Sequence, residues 1–125
     1  MASKGRPYRT VNVEGFEILI GKGDAFNDHL TFEIADDDDF WLHVADYAGT
    51  HVVVRNPDRL SVLPSSVAQA AAQQSVHHSK ARGAKGKVAV HLCRISDVSK
   101  RRGAPAGEVQ LRTWEVLKIY PQIDG

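Results

Sequence analysis

Two alternating runs separated by a short turn constrain the fold of this chain more than any other feature. The first run, DFWLHV at 39–44, alternates apolar with aromatic or polar residues, which is typical of an extended strand with two different faces. The second run, HVVVR at 51–55, alternates in the same way, and the segment between them contains Asp46 and Gly49, both favourable in turns. The pattern predicts a hairpin, and one of its possible registers places four side chains on a single face: Trp41, His43, His51 and Arg55.

The remaining alternation predicts a sheet around this hairpin. Residues 8–13 and 16–20 alternate on either side of Glu14-Gly15 and indicate a second hairpin. Further strands are predicted at 87–95, 109–111 and 114–120. Because neighbouring strands are joined mostly by short connections, the sheet is expected to be mostly antiparallel.

Two helices are predicted beside the sheet. The alanine-rich stretch 67–76, preceded by serines that can cap it, predicts one long helix that continues toward a stop at Gly83. A short helix that Asn27 or Asp28 caps and that extends to about Ala35 is favoured over a strand in the same place. The prediction is a single α+β domain over residues 1–125, with a mostly antiparallel sheet, one long alanine-rich helix, one short helix, and a loose tail at 1–7.

The charge distribution is uneven although the net charge is only +1. Residues 1–62 carry six Lys and Arg against eleven Asp and Glu, whereas residues 63–125 carry ten against four. Local cationic patches attract anionic partners whatever the total charge. The chain has one cysteine, Cys93, and no apolar run of membrane-span length or signal peptide, so we expect a cytoplasmic protein without a disulfide or a membrane partner.

Metal binding and hydrolysis are the less favoured interpretations. Six histidines and one cysteine suggest zinc, but the sequence has no H-E-x-x-H or C-x-x-C motif. His43 and His51 could converge across the hairpin, yet they would need a third ligand such as His91. The four aspartates at 36–39 are more typical of a solvated loop than of a cation site, and no G-x-S-x-G element positions a nucleophile. We therefore expect no cofactor, metal or catalytic residue, with a histidine-based hydrolase or metal enzyme as an alternative.

Nucleic-acid binding requires cations for phosphates and flat groups on which bases stack. Trp41, Tyr47 and the histidines could stack, unless Trp41 is buried under the long helix. Composition alone favours binding only slightly over an ordinary solvated surface. The candidate phosphate contacts follow the alanine-rich stretch: Lys80, Arg82, Lys85, Lys87, Lys100, Arg101 and Arg102.

Several ordered segments over about residues 8–121 resemble the NFACT-R domain, the RNA-binding module of ribosome quality-control proteins of the NEMF and RqcH type and of their fibronectin-binding relatives. GFEILIGKGDAFNDHLT (15–31) resembles the glycine-led strand and N-D-x-L-T element of that family, and DFWLHV resembles its D-x-W-F-H-V signature. GTHVVVR (49–55), AAAQQSVHHSKARG (70–83) and VSKRRGAPAGEV (98–109) resemble three further segments. The positions that carry the signature are Asn27, Asp28, Asp39, Gly49, Ser79, Gly103 and Gly107.

The resemblance implies a non-catalytic module for structured RNA, tRNA or rRNA, in translation or ribosome quality control. The cations named above would contact phosphates, and the hairpin face with Asp39 would form the functional surface. Asp39 would orient a histidine, and Trp41 would either stack on a base or anchor the hairpin. Asn27 and Asp28 would fix the entry to the short helix. The ribosome or a protein partner are further candidate partners, and a protein-interaction adaptor is an alternative function.

The chain also departs from the family pattern. Thr50, His78, Arg101 and Ala106 replace residues that are common in the family. Long family members add further domains, so alanine-tail synthesis is not expected of this module alone.

Overall fold

The computed structural model describes residues 8–47 and 49–121, and its central feature is a six-stranded antiparallel sheet. The predicted tail at 1–7 lies outside the described residues. The strands are β1 (Tyr8–Val13), β2 (Phe16–Gly21), β3 (Phe40–Val44), β4 (Val52–Val54), β5 (Val88–Arg94), β6 (Val98–Ser99), β7 (Gln110–Leu111) and β8 (Glu115–Ile119). The strand order is β1-β2-β4-β3-β5-β8, and β6 and β7 form a separate two-stranded sheet. The α+β class with a mostly antiparallel sheet is confirmed.

Both predicted hairpins are present. β1 and β2 pair around Glu14-Gly15, and β3 pairs with β4 so that Trp41 lies opposite Val53 and Leu42 opposite Val52. The alternation therefore separates the hairpin into two faces as predicted. On the far side of β3, strand β5 pairs so that His43 lies opposite His91.

The helices differ from their predictions in length and in capping. Helix α1 (Asp24–His29) is followed by a π-helical segment, Leu30–Ile34, and its N-cap is Gly23. Asn27 and Asp28 lie inside α1, so the prediction that they cap or fix its entry is wrong. Their side chains bind other segments, which removes them from the helix terminus.

Helix α2 (Ser65–His77) has only 13 residues, and the prediction of a long helix that ends at Gly83 is wrong. The predicted serine cap is also absent: Pro64 is the N-cap, and Ser66 donates its hydroxyl to Glu14 instead. The helix ends early because Ser79 pairs with Gly49 in an isolated β-bridge and donates its hydroxyl back to the carbonyl of Val76.

Each face of the sheet has its own core. Small side chains of α2, such as Val67 and Ala71, pack on one face against residues such as Leu42 and Val52. On the opposite face, Trp41 packs with Leu30 of the π-helical segment and with other apolar residues. Trp41 is therefore covered by the π-helical segment and not by α2, and this second core anchors the central hairpin.

Candidate nucleic-acid interface

Antiparallel pairing brings cations from distant parts of the sequence to one end of the sheet. Tyr8 pairs with Gly21, so Arg9 and Lys22 lie at adjacent strand ends. A shallow pocket there is lined by the cations Arg9, Lys22 and Lys80, by His78 and by one acid, Asp24. Lys85 and Lys87 precede β5, whose first residues pair with the end of β3 and the end of β8. We call this region the cationic end: Arg9, Lys22, His77, His78, Lys80, Arg82, Lys85 and Lys87.

The charged side chains of the cationic end are available to a ligand. Lys80, Arg82 and Lys85 are exposed, as are Arg9 and Lys22. Within residues 8–47 and 49–121, none of these five forms an ion pair. Burial, and then the nearby charges of His77, Arg9 and Arg82, lower the pKa of His78. Mutual repulsion among these groups would be relieved by a bound anion.

The opposite end of the sheet is rich in acids, and its arginines are paired. Arg55 binds Asp39 through Nε at 2.9 Å and Asp36 through a terminal nitrogen at 3.0 Å. Arg59 lies 3.4 Å from Asp38. The Arg55 guanidinium is therefore engaged within the domain, and its contact with RNA stays a prediction.

The buried carboxylate of Asp39 connects several segments at this acidic end. Its side chain is 2% exposed and accepts hydrogen bonds from the backbone N–H groups of Asn56, at 2.7 Å, and Asp36, at 2.9 Å. Together with Arg55, these donors satisfy both carboxylate oxygens. Asp39 therefore fixes an arginine and two backbone segments, and the prediction that it orients a histidine is wrong.

The basic loop between β6 and β7 is fastened to the domain through Lys100. The Lys100 ammonium lies 3.1 Å from a carboxylate oxygen of Asp28 and donates to the carbonyls of Pro105 and Glu108. Lys100 therefore has a structural role in holding this loop, and its contact with phosphate stays a prediction. Arg101 pairs with Glu108 at 3.6 Å at the surface, while Arg102 and Gly103 are exposed at the tip of the loop.

A directed hydrogen-bond relay lies beneath the same loop. Trp41 donates its indole N–H to the Thr31 hydroxyl at 3.2 Å, and that hydroxyl lies 2.8 Å from Nδ1 of His51. Nε2 of His51 lies 3.2 Å from the carbonyl of Gly107. Because a carbonyl can only accept, Nε2 carries the proton and Nδ1 accepts from Thr31. Trp41 and His51 are 2% and 1% exposed, so neither can contact a base, which corrects the prediction for both.

Asn27 and Asp28 connect α1 to the entry of β4 and to the basic loop. The Asn27 carbonyl accepts the backbone N–H of His51 and the hydroxyl of Thr50, each at 3.1 Å. Asp28 accepts the backbone N–H of Gly107 at 3.1 Å. The residues that the resemblance singles out therefore hold three segments together inside the domain.

At two of the signature positions, the surrounding structure explains why the residue is glycine. Gly49 approaches Ser79 so closely that an added Cβ would lie 2.7 Å from the Ser79 Cβ. Gly107 has a φ of +86°, and an added Cβ would lie 3.0 Å from a carboxylate oxygen of Asp24. Larger residues would be strained at both positions, which explains why the chain has glycine there.

The buried histidine makes the stability of the domain dependent on pH. Desolvation lowers the pKa of His51 to about 4 and also lowers the pKa of His43. An unfolded chain, with a histidine pKa near 6.5, takes up the proton first as the pH falls. The part of the free energy of unfolding that depends on neutral His51 is therefore fully present above about pH 6.5. It is lost between pH 6.5 and 4, and this loss is about 3 kcal/mol for His51 alone.

Urea unfolding at pH 7 and pH 5 measures this effect. We expect a free energy of unfolding about 2 kcal/mol lower at pH 5. A His51→Asn variant, although less stable at pH 7, should show a smaller difference between the two pH values. An equal difference in both proteins would contradict the role of His51.

A row of exposed groups on β8 was not recognised from the sequence. His43 lies opposite His91 on β5, and His91 lies opposite Val116 on β8. Trp114, just before β8, has its ring centroid 5.3 Å from that of His91. The alternation of Trp114, Val116 and Lys118 was a usable signal, but it indicated only a closing strand.

Arg9 and Lys22 were also not recognised as site residues. They are 13 positions apart in the sequence, and only the pairing of β1 with β2 brings them together. Of the other predicted groups, His43 is partly buried beside Trp41, Tyr47 is exposed, and Ser79 is buried in its contact with Gly49.

The described part of the chain has neither a cluster of metal ligands nor a membrane-spanning helix. Among residues 8–47 and 49–121, no three His, Cys, Asp or Glu side chains form a group that could hold a metal ion. Neither helix in these ranges has the length and hydropathy of a membrane span.

Comparison with known proteins decides the family. The model of the NFACT protein RNA binding domain matches residues 6–113. The chain belongs to this family. The resemblance seen in the ordered sequence segments is therefore confirmed, and the description of the matching family names RNA binding.

Relatives and a solved structure agree with this membership. The domain is 32% identical to the Rqc2 homologue RqcH of Bacillus subtilis over 97% of this chain, and 34% identical to RqcH of Streptococcus suis over 95%. It spans 21% of the length of each of these relatives. The C-terminal part of the fibronectin/fibrinogen-binding protein of Streptococcus suis matches with a TM-score of 0.84 and 30% identity, covering 95% of this chain and 47% of that one.

Proposed function

We propose that this NFACT RNA-binding domain binds structured RNA, such as tRNA or rRNA, through phosphate contacts at its cationic end. One observation carries the proposal: the exposed cations at this end form no ion pairs among the described residues, whereas Arg55 and Arg59 at the opposite end are paired with aspartates. The unpaired charge is therefore concentrated on one surface. Phosphate contacts supply most of the sequence-independent affinity of nucleic-acid binding.

The arrangement of the cations favours a structured RNA over a flexible one. The charges come from separate segments around 9, 22, 80–82 and 85–87, which strand pairing and the Gly49–Ser79 bridge bring to one end of the sheet. Cations drawn from several segments can contact phosphates that a folded RNA brings together. Binding of this kind positions the RNA but reads little of its sequence.

The domain acts in this proposal without catalysis. The hydrogen-bonding atoms of the His51 ring are engaged by Thr31 and Gly107, which supports a structural role for this histidine. The names of the RqcH relatives support a place in ribosome quality control. The domain would contribute RNA affinity there, and any chemistry would belong to other components.

Titration of labelled tRNA at several salt concentrations tests the proposal. We expect the logarithm of the association constant to fall linearly with the logarithm of the salt concentration, by roughly 0.7–0.9 per phosphate neutralised. Sequencing of the RNA that co-purifies with the domain then distinguishes tRNA from rRNA. Absence of binding even at low salt, together with a protein partner that remains bound after nuclease treatment, would favour the adaptor alternative.

A further inference from the structure

One edge of the sheet carries an exposed surface that the cationic end does not explain. Strand β8 has its buried residue, Ile119, and the half-buried Leu117 on the side of α2. Val116 and Lys118 alternate with these two residues and face the other way, and Trp114 and Tyr120 continue the alternation at either end of the strand. Trp114, Val116 and Tyr120 are 47%, 49% and 60% exposed. Adjacent exposed apolar side chains of this kind are a feature of many binding sites.

The chemistry of this surface suits nucleobases. Trp114 and His91 have ring centroids 5.3 Å apart, with planes tilted by 42°. They line a cleft of about 660 Å³, and His43 and Gln110 also line it. Flat π-systems beside a polar wall can take up a planar aromatic ligand and hydrogen-bond its edge.

Positive charge alternates with the aromatic groups. Lys118 lies on the open side between Val116 and Tyr120, and the Lys87 ammonium is 5.4 Å from the centroid of the Tyr120 ring. Lys87 also belongs to the cationic end, so the two surfaces are continuous. The one carboxylate that borders the cleft, Glu108, is paired with Arg101. Aromatic groups interleaved with lysines are complementary to the bases and phosphates of a single strand.

We infer that this surface is a platform that binds unpaired nucleotides of RNA by stacking their bases on Trp114 and Tyr120. The platform consists of His91, Trp114, Val116, Lys118 and Tyr120. The inference rests on the proposed function and adds to it a second contact type: the cationic end binds phosphates of folded RNA, and the platform takes bases from a loop or an end. From 114 to 120 it extends roughly 20 Å, enough for several nucleotides.

A Trp114→Ala variant of the domain tests the platform with two RNA probes. The first probe is a labelled single-stranded 10-mer, and the second is a duplex of the same length. Stacking on one aromatic side chain is worth roughly a 5- to 100-fold change in affinity. We expect that loss for the single strand and less than about a twofold change for the duplex. Tyr120→Ala should act in the same direction.

Phe26→Ala is the matched control, because Phe26 is as exposed as Trp114, at 47%, but lies on α1. It should leave binding of both probes unchanged. Because both aromatic side chains are exposed, circular dichroism should show that Trp114→Ala folds like the parent. A 10-mer with abasic positions should bind the parent domain as weakly as the complete 10-mer binds Trp114→Ala.

The outcomes separate the platform from the proposed function. If Trp114→Ala and Tyr120→Ala bind the 10-mer as tightly as the parent, the platform is overturned, while salt-sensitive tRNA binding at the cationic end is unaffected. Equal affinity for complete and abasic 10-mers would overturn it as well. Self-association of the domain that Trp114→Ala abolishes, with unchanged binding of the 10-mer, would assign the surface to a second copy of the chain instead.

Discussion

Replacing Lys80 and Lys85 together with glutamate is expected to weaken tRNA binding roughly 10- to 100-fold at 0.1 M salt. Both side chains are exposed at the cationic end, and neither forms an ion pair among the described residues, so the loss should come from the RNA complex and not from folding. The slope of log affinity against log salt should become shallower by about 1.5, since two phosphate contacts are removed.

Arg59→Glu provides the control for this pair. Arg59 is also an exposed cation, but it lies at the acidic end and is paired with Asp38. It should leave both the affinity and the salt slope nearly unchanged. If Arg59→Glu weakened binding as much per charge as the two lysine substitutions, the interaction would depend on net charge alone and the cationic end would have no special role.

Asp39→Ala is expected to lower the free energy of unfolding by about 3 kcal/mol, the largest loss that we predict for a single substitution at pH 7. The substitution leaves two backbone N–H groups, of Asn56 and Asp36, without their acceptor. It also removes the buried partner of Arg55, which keeps only the exposed Asp36. Urea unfolding at pH 7 measures the effect through the midpoint of the transition.

Asp37→Ala is the matched control within the same run of aspartates. Asp37 is exposed, and it accepts a hydrogen bond from Ser96 only through its backbone carbonyl, which the substitution retains. We expect a change below about 0.5 kcal/mol. A comparable loss in both variants would mean that the acidic run acts through its total charge and that Asp39 has no particular structural role.

Local sequence pattern was enough to predict the two hairpins and the two faces of β3. The period of two specifies which side chains share a face, and tight turns specify which strands are neighbours. It does not specify what covers each face. Trp41 was therefore assigned to a base or to the long helix, whereas the π-helical segment covers it.

The helix boundaries were misjudged because contacts distant in the sequence decide them. The stretch after His77 has no helix breaker before Gly83, and nothing local indicates that Ser79 pairs with Gly49. Asn27 is a good capping residue, but its buried amide instead holds Thr50 and His51. A residue suited to capping is equally suited to satisfying the backbone of another segment.

Only the part of the candidate site that is contiguous in the sequence could be predicted. The cations at 80–87 are close in the sequence and could be recognised as a group. Arg9 and Lys22 join them only through strand pairing, while Lys100 and Arg55 form ion pairs with Asp28 and Asp39 that the sequence does not reveal. A count of charges cannot distinguish a free cation from a paired one.

Ultraviolet cross-linking of the domain to tRNA, followed by mass spectrometry of the cross-linked peptides, tests the central claim most directly. The account predicts cross-links at the cationic end, in peptides that contain residues 78–87 or the neighbourhood of Arg9 and Lys22. Peptides from the acidic end, residues 36–39 and 55–60, should carry none. Cross-links concentrated at 36–39 and 55–60, with none at 78–87, would contradict the account.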